Sequence, residues 1–285
     1  LVAQLGVPVP LPWPQCGFPL TVKPSGASGS KGVRLIEDAL HFEQWRQRTP
    51  QAHQWVKQEF LDGPSYSIEV VGARGVYRSF AITELEMDGG YDCKRVLAPV
   101  VLPPPLEAAF RGTALILAEA LQLEGIMDVE VILHQGQLKV LEIDARFPSQ
   151  TPTAVYHTSG INLLAVLCMD TIDAIPRPQQ VVVFEHLRVQ GNRLEISGEH
   201  IMAEAGPLRL HQEFFGAQEA LTNYQPDQRD WVATLICTGD TLEHARSRRD
   251  RVIERIMREC ALDRAIDSEP LLPRSLPASS LAMAV

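Results

Sequence analysis

The sequence predicts an α+β fold, and three observations carry that expectation. Strand-like and helix-like segments are mixed without the regular strand–helix–strand alternation of a parallel sheet. Residues 126–144 read as a hairpin whose two arms alternate side chains strictly about a short turn at His134-Gln135-Gly136. Apolar residues make up 45% of the 285, enough for a sizeable buried core.

The elements follow in order. Leu1–Leu5 reads as a helix end, and Gly6-Val7-Pro8-Val9-Pro10 as a proline-stiffened connector. Phe18–Lys23 alternates like a strand, with Pro24 holding Lys23 extended. A small-residue loop, Ser25-Gly26-Ala27-Ser28-Gly29-Ser30-Lys31-Gly32, leads to a short strand at Val33–Ile36 and a helix capped by Asp38. Strands are expected at Gln54–Leu61, Tyr66–Val71 and Val76–Thr83, the last two joined by a turn at Gly72–Gly75. Met87–Pro105 reads as a long irregular stretch and Pro105–Gln122 as a helix. After the hairpin, Arg146–Thr153 is expected to be a proline-broken loop, with a helix from Asn162. Val181–Leu187 looks like a buried strand, Thr241–Cys260 like an amphipathic helix, and 268–285 like a mobile tail.

A net charge of −9, with no basic block beside aromatics, makes nucleic acid a poor partner. The five cysteines are scattered, odd in number and form no CxxC pair, which favours a reducing cytoplasm over disulfides or zinc. The longest apolar run, Ile161–Met169, is too short to cross a bilayer, and Leu1–Pro14 lacks the features of a signal peptide. The first residue is not Met, so the chain reads as beginning in mid-protein.

Two motifs carry chemistry. Strand alternation puts Asp128 and Glu130 on one face of the first arm, and Glu142 and Asp144 on one face of the second. Four clustered carboxylates need a cation, and oxygen ligands point to Mg²⁺ or Mn²⁺; the same pattern also describes a solvated hairpin face. Lys23 and the Gly/Ser loop offer a point charge and backbone N–H groups to a phosphate, although the loop is neither a P-loop nor a Rossmann fingerprint. Loops of this composition are often only loops. Tyr91-Asp92-Cys93-Lys94-Arg95 reads either as approaching phosphates or substrate or as a solvated charged loop, and the dispersed histidines read as surface residues.

The order of these parts resembles the ATP-grasp superfamily: a lysine-ended strand, a Gly/Ser flap, Gln58-Glu59-Phe60-Leu61, and an acidic hairpin followed by Arg146. More narrowly, Glu142–Thr153 is similar to the ATP-grasp ligases of pyrrolysine biosynthesis, as are Tyr91-Asp92-Cys93, Ser159–Leu163 and Glu185-His186-Leu187. The likeness runs from about Gly6 to Leu187. It implies two α+β subdomains clasping ATP, and a ligase that joins 3-methylornithine, through its carboxylate, to the ε-amine of lysine. It also implies roles. Lys23 and the flap, Ser28 included, would hold ATP phosphates, and Glu59 with Phe60 would form the adenine-side hinge, largely through backbone groups. Glu130 and Glu142, assisted by Asp144, would bind the metal, and Arg146 would stabilise charge on the transferring phosphoryl group. Asp128 would face the amino-acid substrate, with Ser149 and Thr151 beside it.

Pro64-Ser65 follows Gly63 where many relatives carry a ribose-binding glutamate, which leaves that contact open. Glu69 reads as reaching ribose or substrate, or as an exposed strand residue. The implied organisation is a linker from an absent amino-terminal domain (1–14), a flap subdomain (15–75), a catalytic subdomain (76–190), a carboxy-terminal elaboration (191–267) and a tail (268–285). An ATP-grasp ligase for another amino-acid or nucleotide-pathway substrate, and a non-catalytic ATP-binding module, are the competing expectations.

Overall fold

The computed structural model describes residues 1–26, 30–169 and 180–270. Its chain first turns once through Val2–Leu5 and reverses at Gly6, whose φ of 73° suits glycine. Next come β1 (Leu20–Pro24), β2 (Arg34–Ile36), α1 (Ala39–Arg48) and β3 (Trp55–Glu59). These strands form an antiparallel sheet in the order β2-β1-β3. Asp38 caps α1 as expected, its carboxylate accepting from His41 N–H at 2.7 Å. Phe42 and Trp45 seat this helix on Leu20, Val22 and Ile36, making a small core of their own.

The remaining elements are β4 (Ser65–Ala73), β5 (Val76–Met87), β6 (Cys93–Ala98), α2 (Pro104–Ala120), β7 (Gly125–His134) and β8 (Gln137–Asp144). They are followed by α3 (Thr151–Ser159), α4 (Leu163–Met169), β9 (Val181–Gln190), β10 (Arg193–Ile196) and α5 (His200–Ala203). The chain then adds β11 (Arg209–Gln212), β12 (Glu219–Thr222), β13 (Asp230–Gly239), α6 (Leu242–Glu259) and β14 (Arg264–Asp267). Their strands form one large sheet in the order β11-β12-β13-β9-β6-β5-β4-β7-β8, with β10 on β9 and β14 on β10. All pairings are antiparallel except β10 with β14. The α+β expectation holds.

Strand alternation gives this sheet two different faces. Ile68, Val70, Met127, Val129 and Val131 point one way and bury against Phe110, Ala114 and Leu117 of α2. On the other face Val71 and Ile126 lie under Val155 of α3 and Leu163 and Val166 of α4, while Leu85, Val96 and Phe184 lie under Ala154. The carboxylates of the hairpin share this second face, and run from Glu142, which is exposed, to Asp128, which is buried. Gly63 permits the entry to β4: at φ 146°, a Cβ there would stand 2.0 Å from the Leu133 carbonyl oxygen.

Four expectations are corrected. Met87–Pro105 is not irregular throughout, because Cys93–Ala98 is a strand between β5 and β9; a register shift beside Lys94 breaks the alternation that would have marked it. The expected loop Arg146–Thr153 ends early, because Thr151–Thr153 already opens the helix Thr151–Ser159, with Pro152 in its first turn, where proline is tolerated. The segment 15–75 includes β4, whose hydrogen bonds go to β5 and β7 in the large sheet rather than to the small one. Ser268 and Glu269 are tied down by Lys94, at 2.6 Å and 2.9 Å, so the tail does not begin at 268. The rest of that tail, 271–285, lies outside the described residues.

Candidate active site

The β7–β8 register sets Asp128 opposite Asp144 and Glu130 opposite Glu142. On its other side, β7 sets Glu130 opposite Ser67 and Asp128 opposite Glu69. Paired residues share a face, so the site consists of two rows running across three strands: Glu142–Glu130–Ser67 and Asp144–Asp128–Glu69. The Ser67 hydroxyl donates to Asp128.

Burial differs sharply along these rows. Glu142 is exposed and Asp144 half-buried, whereas Asp128 is 3% and Glu69 0% exposed. Desolvation pushes the Glu130 carboxyl well up, repulsion from Asp128, Glu142 and Asp144 adds to this, and the charge of Lys23 opposes it. The charge of Lys23 on β1 is thus felt by Glu130 of the large sheet. Asp128 is raised mainly by burial, against its bond from Ser67. Glu69 is raised by burial and then by Asp128, with Thr151 acting the other way. The expectation of an exposed strand residue at Glu69 is corrected: its row continues beneath α3.

Arg146 pairs with Asp144 at 2.8 Å and is otherwise open to solvent. Ser149 is exposed, and Thr151 is buried at the first position of α3. Glu59 accepts from Lys139 at 2.6 Å and from Leu11 N–H at 3.1 Å. Burial disfavours the ionised form of Glu59, but Lys139, Leu11 and His134 together hold its pKa low. The backbone N–H groups of Glu59 and Phe60 are taken by Leu11 and Pro19 carbonyls, at 2.8 Å and 3.4 Å. Ser28 lies outside the described residues.

The structure adds groups that the sequence reading did not single out. Lys139 follows β8 alternation but carried no motif. Ser67 stands two residues before Glu69, a spacing that would have put both on one strand face. Glu199, which accepts from Gln150 Nε2 at 2.9 Å, comes from a distant segment without local signal. The Tyr91-Asp92-Cys93 loop is not a solvated one: the Tyr91 carbonyl accepts from Ser30 Oγ at 2.5 Å, and Asp92 accepts from His200 N–H at 3.1 Å and meets His200 Nδ1 at 2.7 Å. His186 corrects the view of surface histidines. It is 2% exposed beside Thr234 Oγ1 at 2.7 Å, and burial pushes its pKa down to about 4.

Among the described residues, no group of three or more His, Cys, Asp or Glu is arranged to hold a metal ion unaided. None of their helices is long and apolar enough to cross a membrane.

Residues 3–150 match the family model described as an ATP-grasp domain. The chain belongs to the ATP-grasp family. It is similar to the 3-methyl-D-ornithine–L-lysine ligase of Methanosarcina mazei, with 34% identity over 256 residues, covering 87% of this chain and 64% of that relative. The ligase of the same name from Methanosarcina barkeri is 38% identical over 207 residues, or 70% of this chain and 53% of the relative. The chain thus spans between half and two thirds of the length of these two relatives. Among solved structures, the L-amino acid ligase from Bacillus licheniformis superposes with a TM-score of 0.64 at 18% identity, covering 89% of this chain and 68% of that one. The biotin carboxylase domain of Hydrogenobacter thermophilus 2-oxoglutarate carboxylase gives a TM-score of 0.65 at 13% identity, with 89% and 63% covered. These two likenesses concern the ATP-grasp fold.

Proposed function

We propose that this chain is the ATP-binding and catalytic part of a carboxylate–amine ligase, and that its reaction joins 3-methylornithine to the ε-amine of lysine. The observation that carries the reading is the half-buried carboxylate of Glu130, paired with Glu142 across the hairpin, beside Asp128 and Asp144, and offset by the charge of Lys23. Four carboxylates on one face against Lys23 and Arg146 suit a site completed by further cations. The narrower choice of substrates is supported by the two Methanosarcina relatives.

The donor set is all oxygen, which fits Mg²⁺ or Mn²⁺. Glu130 and Glu142 would hold the ion, with Asp144 beside them. Such ions take one or two carboxylates and complete their shell with phosphate oxygens and water, which accords with acids that do not close a cage by themselves. When bound, the metal supplies Lewis-acid stabilisation of charge on the phosphoryl oxygens.

The chain's own groups would do the rest. Lys23 and the 25–32 loop would hold the ATP phosphates. The N–H groups of Glu59 and Phe60 are engaged by Leu11 and Pro19, so the hinge would meet the adenine edge through other backbone groups. Attack of the donor carboxylate on the γ-phosphorus gives an acyl phosphate and ADP, and Arg146 would offset the charge that grows there. Attack of the acceptor amine on the acyl carbon then releases phosphate and leaves the amide. A carboxylate of the acidic face would take the proton that the amine loses. Residues 1–14 act as a connector, the flap ends near Glu59, and the catalytic part runs on through 190, with 191–267 as its elaboration. The cytoplasm is the expected setting.

The test is to incubate the full-length protein with ATP, Mg²⁺, 3-methylornithine and lysine, and to follow ADP and the product mass. The expected result is the amide mass with one ADP per bond. ADP formation only with other amino acids would replace the substrates, and no nucleotide turnover with any of them would overturn the ligase reading.

A further inference from the structure

The helix α6 carries two rows of arginine, and the fold answers one of them. Arg246 and Arg249 turn toward the large sheet, where Glu86 lies at 3.3 Å and Glu185 at 2.7 Å. Arg248, Arg251 and Arg255 follow His244 at helical spacing, which lines the four up along another flank. Arg248 is half-buried and, among the described residues, has no hydrogen-bond or ion-pair partner. Arg251 donates to the neutral Ser247 hydroxyl at 2.7 Å, and Arg255 pairs with Glu259 at 2.7 Å. A half-buried guanidinium without an acceptor has lost water and gained no charge in return. This flank is also walled. Arg248 and Arg251 stand between two cavities of about 350 Å³ each, one edged by Asp240 and His244, the other by Glu213, Phe215 and Arg255. In the wall of the second, Glu213 and Phe215 take left-handed backbone at φ 54° and 50°. A bulky side chain adopts that conformation where its surroundings hold it there.

The position is apart from the acidic rows. Ala245, Val252 and Ile256 seat α6 on the sheet face of Val183, Leu187 and Leu235. The hairpin acids share the other face, where Phe184 and Ile236 lie under α3. Concavity and charge narrow the occupant. Cavities of this size take small molecules. A nucleic-acid strand would need an uninterrupted basic strip, and here Asp240 and Glu213 stand at the rims. Along the helix axis Arg248, Arg251 and Arg255 are about 4.5 Å and about 6 Å apart, so a single carboxylate meets one of them. Linked phosphates spread charged oxygens over that length, and each planar guanidinium can take two of them. We propose that this flank of α6 is an anion site centred on Arg248 and Arg251, and that it takes a small compound bearing two or more linked phosphate groups. None of its residues belongs to the ligase site proposed above.

The test is calorimetry of inorganic tripolyphosphate on the full-length protein carrying Lys23→Met, without divalent metal, so that phosphate binding at the ligase site is suppressed. The expected result is one saturable site per chain. Adding Arg248→Gln or Arg251→Gln should each weaken it by about tenfold or more, in keeping with a charged hydrogen bond. Arg246→Gln removes the same charge from the sheet-facing row and should change affinity by about twofold at most. Citrate, a carboxylate trianion, should bind about tenfold more weakly than tripolyphosphate. Absence of saturable binding would overturn the proposal, and so would an equal loss in Arg246→Gln and Arg248→Gln, which would mean attraction to bare net charge. Citrate binding as tightly as tripolyphosphate would overturn the phosphate assignment. Should Arg248→Gln fail to fold, Arg251→Gln decides, because Arg251 is exposed. Pyrophosphate and ADP then separate the sources: tighter Arg248-dependent binding of ADP supports a nucleotide as the occupant, and tighter binding of pyrophosphate an inorganic one.

Discussion

Lys23 and Glu130 belong to different sheets, yet the lysine charge lowers the proton affinity of the glutamate. A phosphate chain between them would meet a cation on one side and metal-binding acids on the other. Lys23→Met should therefore weaken ATP binding by about 1.5–3 kcal/mol with the fold intact, as measured by nucleotide titration. Glu142→Gln should abolish turnover, because an amide is a weaker ligand for a divalent ion. The same variant should melt slightly higher than the parent without metal, since one of the repelling charges is gone; an active Glu142→Gln enzyme would mean a solvated face. Buried acids also set a pH dependence. The raised Glu69 carboxyl keeps its proton where the unfolded chain has lost it, so its contribution is fully present below the ordinary value of 4.5 and is lost as pH rises above it. His186 works oppositely: with a pKa lowered from 6.5 to about 4, it costs stability as pH falls through that window. Melting temperatures of the nucleotide-free protein should decline on both sides, and Glu69→Gln should flatten the alkaline limb. The candidate acids were legible from alternation alone. The burial of Glu69 was not, because it depends on α3 folding over β4 from some eighty residues away.

Elements with their own periodicity were legible and those defined by neighbours were not. The β7–β8 hairpin and α6 carry clear patterns, and the cap at Thr241 accepts from His244 N–H at 3.2 Å. By contrast, β10, β11, β12 and β14 are four residues each, too short for alternation to register; β10 forms on β9 and β12 on β13, and β14 and β11 form in turn on those two. Proline at 152 misled by suggesting a loop where it starts a helix. One residue binds three of these elements: Glu185 on β9 is 0% exposed and accepts from Arg249 of α6 at 2.7 Å, while also pairing with Arg95 of β6. Glu185→Gln leaves two half-buried guanidinium groups short of charge. It should cost about 3 kcal/mol in denaturant unfolding without changing nucleotide affinity.

At the scale of the molecule, the end of the last strand is tied back to the middle of the large sheet. Lys94 is fully buried, and its ammonium is satisfied by Asp267 at 2.7 Å, the Ser268 carbonyl at 2.6 Å and Glu269 at 2.9 Å. Asp267 also reaches Arg95 at 2.7 Å. The sequence read its carboxy-terminal residues as a tail because single charged residues have no pattern; their role appears only when β14 pairs with β10 beside Lys94. Asp267→Ala should destabilise the protein by about 2–3 kcal/mol, and Lys94→Met in the same background should recover part of that loss, since it removes the stranded charge. Chemical denaturation of the single and double variants measures both.

The connector that precedes β1 touches both sheets within a few residues. Pro8 accepts from Val140 N–H of β8 at 2.8 Å, and Leu11 accepts from Glu59 N–H at 2.8 Å. On the far side, the Ser30 hydroxyl of the small sheet's loop donates to the Tyr91 carbonyl beside the large sheet. The small sheet is thus held to the large one at both ends, along the connector and at Ser30. Glu59, the residue of the adenine hinge proposed above, is thereby fixed to the connector at one end of the small sheet, while Ser30 carries the other end to the loop before β6.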